Sequence, residues 1–183
     1  MTAPTTPFDA CNRDMPARYL EDYAVGQTFG SGGLRITKEQ IRSFAAEFDP
    51  QPFHVDEAAA RETLFTGLAA SGWHTAALTM RLLVDSELKP AGGLIGAGIE
   101  ELRWPKPVRP GDELRLGGEI LNVRASKSRP SHGLVKVKVT TVNQNDEPVQ
   151  IFIANLVVPQ RPAHSTINHD QAAQVRIAKA CVV

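Results

Sequence analysis

Long apolar runs are missing from this chain. No window approaches the ~18 consecutive apolar residues that a membrane-spanning helix requires, so no membrane partner is expected. Cysteine is scarce: Cys11 and Cys181 stand near opposite ends. Met1 to Pro16 carries no basic stretch followed by an apolar run, the mark of a secretory leader. Two cysteines without such a leader read as free thiols rather than a bridge, and the expected address is cytoplasmic. Net charge is absent too, with 20 Lys+Arg against 20 Asp+Glu. No overall field therefore draws the chain to nucleic acid or to an anionic membrane surface. There is no internal repeat, and no Cys/His cluster at zinc spacing, so no metal is expected.

What remains is an ordinary globular composition, and 183 residues suffice for one domain with tails. Residues 1–18, rich in proline and threonine, read as an irregular arm. Residues 19–160 form the expected domain and 161–183 a tail, in which Thr166 to Lys179 is a mostly polar stretch with some helical character. Within the domain, Leu34 to Ile36 suggests a strand. Thr37 with Gln40 three residues on forms a capping box for a helix carrying Ile41, Phe44, Ala45 and Phe48. Pro50 ends that helix and puts Asp49 at its C-terminus. Asp56 caps a short helix, Glu57 to Glu62, and Gly72 to Leu88 reads as a long helix apolar nearly all round, hence buried. From Leu94 the period changes to two. Ile99 to Trp104 is strand-like, Arg109-Pro110-Gly111-Asp112 is a turn, and Val135, Val137 and Val139 alternate with polar residues as in a half-buried strand. Asn145-Asp146-Glu147-Pro148 turns that strand into Val149 to Val158. Helices first and a meander of strands after them make the fold class α+β, with an antiparallel sheet.

Chemistry concentrates in Asp49-Pro50-Gln51-Pro52-Phe53-His54, a carboxylate and an imidazole joined by a loop stiffened by two prolines. Such a pair can orient a water molecule and exchange protons with it near neutral pH. The alternative is that Asp49 caps local backbone and His54 packs beside a turn. Gly72, preceded by Ala70 and Ser71, opens the long helix, whose free N–H groups and dipole favour negative charge on an approaching oxygen. Tight packing alone would also explain a glycine there. Base, acid and oxyanion donor together point to proton transfer beside a carbonyl.

These residues resemble the MaoC-like dehydratases, or (R)-specific enoyl-CoA hydratases, in the Asp49–His54 segment, the Phe65 to Gly72 approach and the Arg103-to-Asp112 strand and turn. The resemblance implies a hot-dog fold, an antiparallel sheet wrapped around one long helix, commonly paired as a homodimer with sites near the interface. It also implies that Asp49 and His54 activate water for reversible addition across a 2-enoyl thioester, while the Gly72 N–H holds the thioester oxygen. No cofactor is implied beyond coenzyme A as part of the acyl-CoA substrate, and Ala70, Ser71 and Trp73 are the residues expected to touch it. Many relatives have histidine before the glycine and methionine after it, where Ser71 and Trp73 stand here; some have a serine where this chain has Met80. Trp73 reads as core and His74 as structural. Arg103, Lys106, Arg109, Arg124, Lys127 and Arg129 could meet coenzyme A phosphates, though scattered surface charge is the commoner explanation. A thioesterase and a non-catalytic acyl-CoA-binding protein are the rival readings.

Overall fold

The computed structural model describes residues 16–162. Both cysteines and the stretch Thr166 to Lys179 lie outside the described residues.

Helix α1 (Lys38–Phe48) begins as its sequence dictates. The Thr37 hydroxyl accepts the Gln40 N–H at 3.2 Å, and Gln40 Oε1 accepts the Thr37 N–H at 2.8 Å. Ile41 and Ala45 are buried on its inner face. Asp49 ends it at φ −153° and ψ 67°, outside the helical region that Pro50 denies it. The segment from Asp49 to His54 is not a plain loop. Pro52, with its ring-fixed φ, starts a helical turn, α2 (Pro52–Val55), and His54 rides on it. Helix α3 (Glu57–Arg61) follows, capped by Asp56, whose Oδ1 accepts the N–H groups of Ala58 and Ala59 at 2.7 and 3.1 Å.

The long helix is α4 (Gly72–Val84), shorter than its apolar pattern suggests. Asp85 caps its C-terminus, and the Ser86 hydroxyl donates to Leu83 O and accepts the Leu88 N–H, turning the chain. Its expected full burial is corrected as well. His74, Thr75, Thr79, Leu82 and Leu83 face inward, whereas Trp73, Met80 and Val84 are about half exposed or more. The buried face is partly polar because Thr79 and Thr141 share a hydroxyl hydrogen bond of 2.8 Å beneath the helix.

The strands β1 (Thr28–Gly30), β2 (Leu34–Arg35), β3 (Ile95–Arg103), β4 (Glu113–Ala125), β5 (His132–Val142) and β6 (Pro148–Pro159) form one antiparallel sheet. Its order is β1-β4-β5-β6-β3, with β2 pairing β4. Val135, Val137 and Val139 on β5 are fully buried, as their alternation requires. Each such side chain contributes roughly 1.5–3 kcal/mol relative to exposure. With Leu114, Leu116, Ile120, Phe152 and Leu156 they build the concave face on which α4 lies. The turn Arg109–Asp112 leads into β4; Gly111 takes φ +90°, which a side chain would resist, and Asp112 Oδ2 accepts the Arg109 N–H at 2.7 Å. Strand β3 lies at one end of the sheet order, hydrogen-bonded to β6 on one side only. Among the described residues no helix is long and apolar enough to cross a membrane.

Candidate active site

The ends of α1, α2 and α4 converge. The C-cap of α1 carries Asp49, the third residue of α2 is His54, and the N-cap of α4 is Ser71. His54 Nε2 lies 3.4 Å from Asp49 Oδ2. The other ring nitrogen, Nδ1, is 2.8 Å from the carbonyl oxygen of Ala69. A carbonyl only accepts, so Nδ1 carries a hydrogen, and Nε2 is the ring nitrogen turned toward Asp49. The ring itself is buried, against the edge of Phe53 at a centroid distance of 4.5 Å.

Asp49 is held from three directions. Ser71 Oγ donates to Oδ2 at 2.6 Å, and Gln51 Nε2 donates to Oδ1 at 2.7 Å. The Ser71 hydroxyl is the main reason its carboxyl sits below the ordinary carboxylate range. Partial burial pushes the other way, while Gln51 and nearby His54 lower it further. The group is therefore an anion at neutral pH.

Gly72 heads α4 directly after Ser71. The Trp73 N–H is taken by Ser71 Oγ at 3.2 Å, while the Gly72 N–H has no hydrogen-bond partner among the described residues. A Cβ at Gly72 would lie 2.9 Å from two carbons of the Trp104 ring. Close packing and access to a free N–H thus coexist at this position. The indole is fixed by its Nε1, which donates to buried Gln150 Oε1 at 2.9 Å, and by an edge contact with Trp73 at 5.6 Å.

Around these groups lies a cleft of about 740 Å³. Asp49 and His54 form its polar floor, and Phe53, Phe65, Trp73, Trp104 and Pro107 its apolar walls. Trp73 is thus a cleft wall, 63% exposed, rather than core. Ala70 is buried with its N–H on Val108 O, and the Ser71 hydroxyl is turned to Asp49. His74 stacks flat on Phe44 at 4.4 Å, and burial lowers its pKa, so it stays neutral. It lines no part of the cleft.

The basic residues fall into separate groups. Arg109 sends its guanidinium to the carbonyls of Phe65, Gly67 (2.7 Å) and Leu68 (3.1 Å), clamping the loop before α4. Lys106 pairs with Glu147 and Arg103 with Glu101. Arg124 lies near the far end of β4, about 36 Å along the strand from Glu113 at roughly 3.3 Å per residue, and Lys127 and Arg129 follow the end of that strand. None of the three lines the cleft that holds Asp49 and His54. Two cations that the sequence did not single out, Lys38 and Arg61, line a groove of about 470 Å³ with Glu57. That groove meets the cleft at Thr66 and Arg109, which line both. Trp104, Gln150 and Gln51 were not singled out either. Only Gln51, between the two prolines, stood inside a segment whose chemistry was legible.

An antiparallel sheet curved over one helix is the hot-dog fold, and here it carries a carboxylate and an imidazole at the helix N-terminus. The chain belongs to the MaoC-like domain family, whose model matches residues 22–143. It is similar to the uncharacterised protein YdeM of Bacillus subtilis, 33% identical over 139 residues, which cover 76% of this chain and 96% of that protein. The crystal structure of a MaoC-like dehydratase from Rhodospirillum rubrum has a TM-score of 0.77 and 55% identity, covering 80% of this chain and all of that one. An (R)-hydratase, PhaJ1, from Pseudomonas aeruginosa has a TM-score of 0.60 and 26% identity, covering 78% of this chain and 86% of that one.

Proposed function

We propose that this protein is a hydro-lyase that adds water reversibly across the 2,3 double bond of an enoyl-CoA thioester. The observation that carries the reading is the Asp49–His54 pair, 3.4 Å apart on the floor of an apolar cleft, with the N-terminus of α4 beside it. A water held between Asp49 Oδ2 and His54 Nε2 loses a proton to the pair as its oxygen bonds to C3. The π electrons of the 2,3 bond shift toward the thioester carbonyl, and the negative oxygen is met by the Gly72 N–H and the positive end of α4. The pair returns a proton to C2, so the enzyme ends as it began. General acid–base groups of this kind supply ~10²–10⁴ in rate, and one oxyanion donor ~10²–10³.

The cations support a phosphate-bearing carrier. Arg61 lies along a groove that meets the cleft, a path for the phosphates of coenzyme A once the acyl group is inside, beside Lys38, which is paired with Glu57. A homodimer accounts for the exposed apolar surface. Ile95 and Ile99 on the free edge of β3, with Trp73, Met80 and Val84 along α4, are large apolar residues left exposed. A second copy would cover both. A drop to monomer mass in light scattering for Ile99→Glu supports this, and an unchanged mass overturns it.

The function is tested by incubating the protein with enoyl-CoAs of different chain length in heavy-oxygen water. Mass spectrometry should find one heavy oxygen in an intact 3-hydroxyacyl-CoA. Free coenzyme A with a labelled acid would replace the reading with thioesterase chemistry. Bound but unchanged thioester at every chain length would leave a binding protein.

A further inference from the structure

Ser71 stands where two requirements meet. Its side chain is buried, and its one hydroxyl hydrogen goes to Asp49 Oδ2 at 2.6 Å. Its Oγ lone pair accepts the Trp73 N–H at 3.2 Å, capping α4. The oxygen it binds on Asp49 is the same one that faces His54 Nε2. One hydroxyl therefore ties the helix end that would receive the oxyanion to the carboxylate that would receive the proton. With Gln51 on Oδ1, both oxygens of Asp49 accept from neutral donors.

We propose that Ser71 is a positioning residue for the acid–base pair rather than a substrate ligand: it fixes the rotamer of Asp49 and keeps it a carboxylate, so that Asp49 is the proton acceptor. This rests on the hydratase reading for its chemical meaning, though the hydrogen-bond geometry stands without it. The titratable group that faces Asp49 is His54 on α2, fixed by Ala69 O. From α4 the group that reaches it is the Ser71 hydroxyl. From the segment between β3 and β4, Lys106 and Arg109 line the same cleft, but Lys106 is paired with Glu147 and Arg109 with three loop carbonyls. The ionisation of Asp49 is thus governed locally by Ser71, Gln51 and His54.

Capping and positioning are separated by two variants. Glycine caps helices nearly as well as serine and alanine does not, yet neither can donate to Asp49. Ser71→Gly and Ser71→Ala should therefore share one catalytic phenotype while differing in melting temperature. Both should lose at least about tenfold in kcat/KM at neutral pH, the scale of one hydrogen bond to a charged group. In both, the acid limb of the kcat/KM profile should move to higher pH. The Asp49 carboxyl carbon, followed by carbon-13 NMR in the full-length protein without substrate, should titrate at higher pH than in the wild type. An Asp49 midpoint unchanged in both variants overturns the proposal, as does full activity in Ser71→Gly with loss confined to Ser71→Ala, which would make Ser71 a cap alone. If the wild type does not hydrate enoyl-CoAs, the hydratase reading fails, and the Asp49 titration still decides the role of Ser71.

Discussion

Gly72→Ala is the substitution that asks most of this site. The added Cβ would stand 2.9 Å from two ring carbons of Trp104 and 3.1 Å from a third, closer than carbon atoms tolerate. Trp104 cannot simply swing away, because its Nε1 is bound to buried Gln150 and its edge meets Trp73. Overpacking of this kind costs about 1–3 kcal/mol, and exchanging glycine for alanine in a helix returns roughly 0.5–1 kcal/mol. The net loss of stability is thus about 0–2.5 kcal/mol, which for a domain of this size lowers the melting temperature by up to about 10 °C. The effect on catalysis should be larger. Displacing the indole tilts the first turn of α4 and moves the Gly72 N–H from the oxyanion position, which is worth ~10²–10³ in kcat. The assay is paired: calorimetric melting, and kcat for enoyl-CoA hydration. Trp104→Leu combined with Gly72→Ala should recover part of both losses, because the ring that clashes is gone and contacting residues couple by ~0.5–3 kcal/mol. Wild-type kcat in Gly72→Ala would refute the oxyanion role, and no coupling with Trp104 would refute the packing account.

Other consequences are more local. Thr79→Val alone leaves the fully buried Thr141 hydroxyl without its partner and should destabilise by about 1–3 kcal/mol in urea titration; Thr79→Val with Thr141→Val should recover most of that. Arg61→Gln should raise KM for an enoyl-CoA several-fold and leave KM for the matching pantetheine thioester, which lacks the nucleotide phosphates, unchanged. The pH dependence of stability carries a definite sign at Asp49. Its pKa is depressed on folding, so the stability it contributes is present above the unfolded value near 3.9 and is lost as pH falls through the lower folded value. The difference in unfolding free energy between wild type and Ser71→Gly should therefore be largest above about pH 4 and narrow below it, as measured by urea titration across pH.

Much of this protein could be read from short-range rules. Thr37 and Gln40 declared a helix start, Pro50 its end, Asp56 another start, and the valines of β5 their buried face, because caps, prolines and alternation act within a few residues. The Asp49–His54 pair was legible for the same reason: one helix C-cap and one short helical turn place both side chains. The limits of α4 and its exposed stripe were not, since an apolar helix pattern records only that a face will be covered, not by what. Trp73 shows this best. Its size and its position beside Gly72 suggested core, and the fold made it a cleft wall that meets Trp104 from thirty-one residues away in sequence. Likewise the sequence by itself determined that a carboxylate and an imidazole would lie together at a helix end. Only the tertiary structure decided that the Ser71 hydroxyl would bridge Asp49 to α4, that Trp104 would close over Gly72, and that Arg109 would be spent on loop carbonyls while Arg61 stayed at the groove. Those are contacts between elements, and they depend on how the sheet curves around α4 rather than on any local pattern.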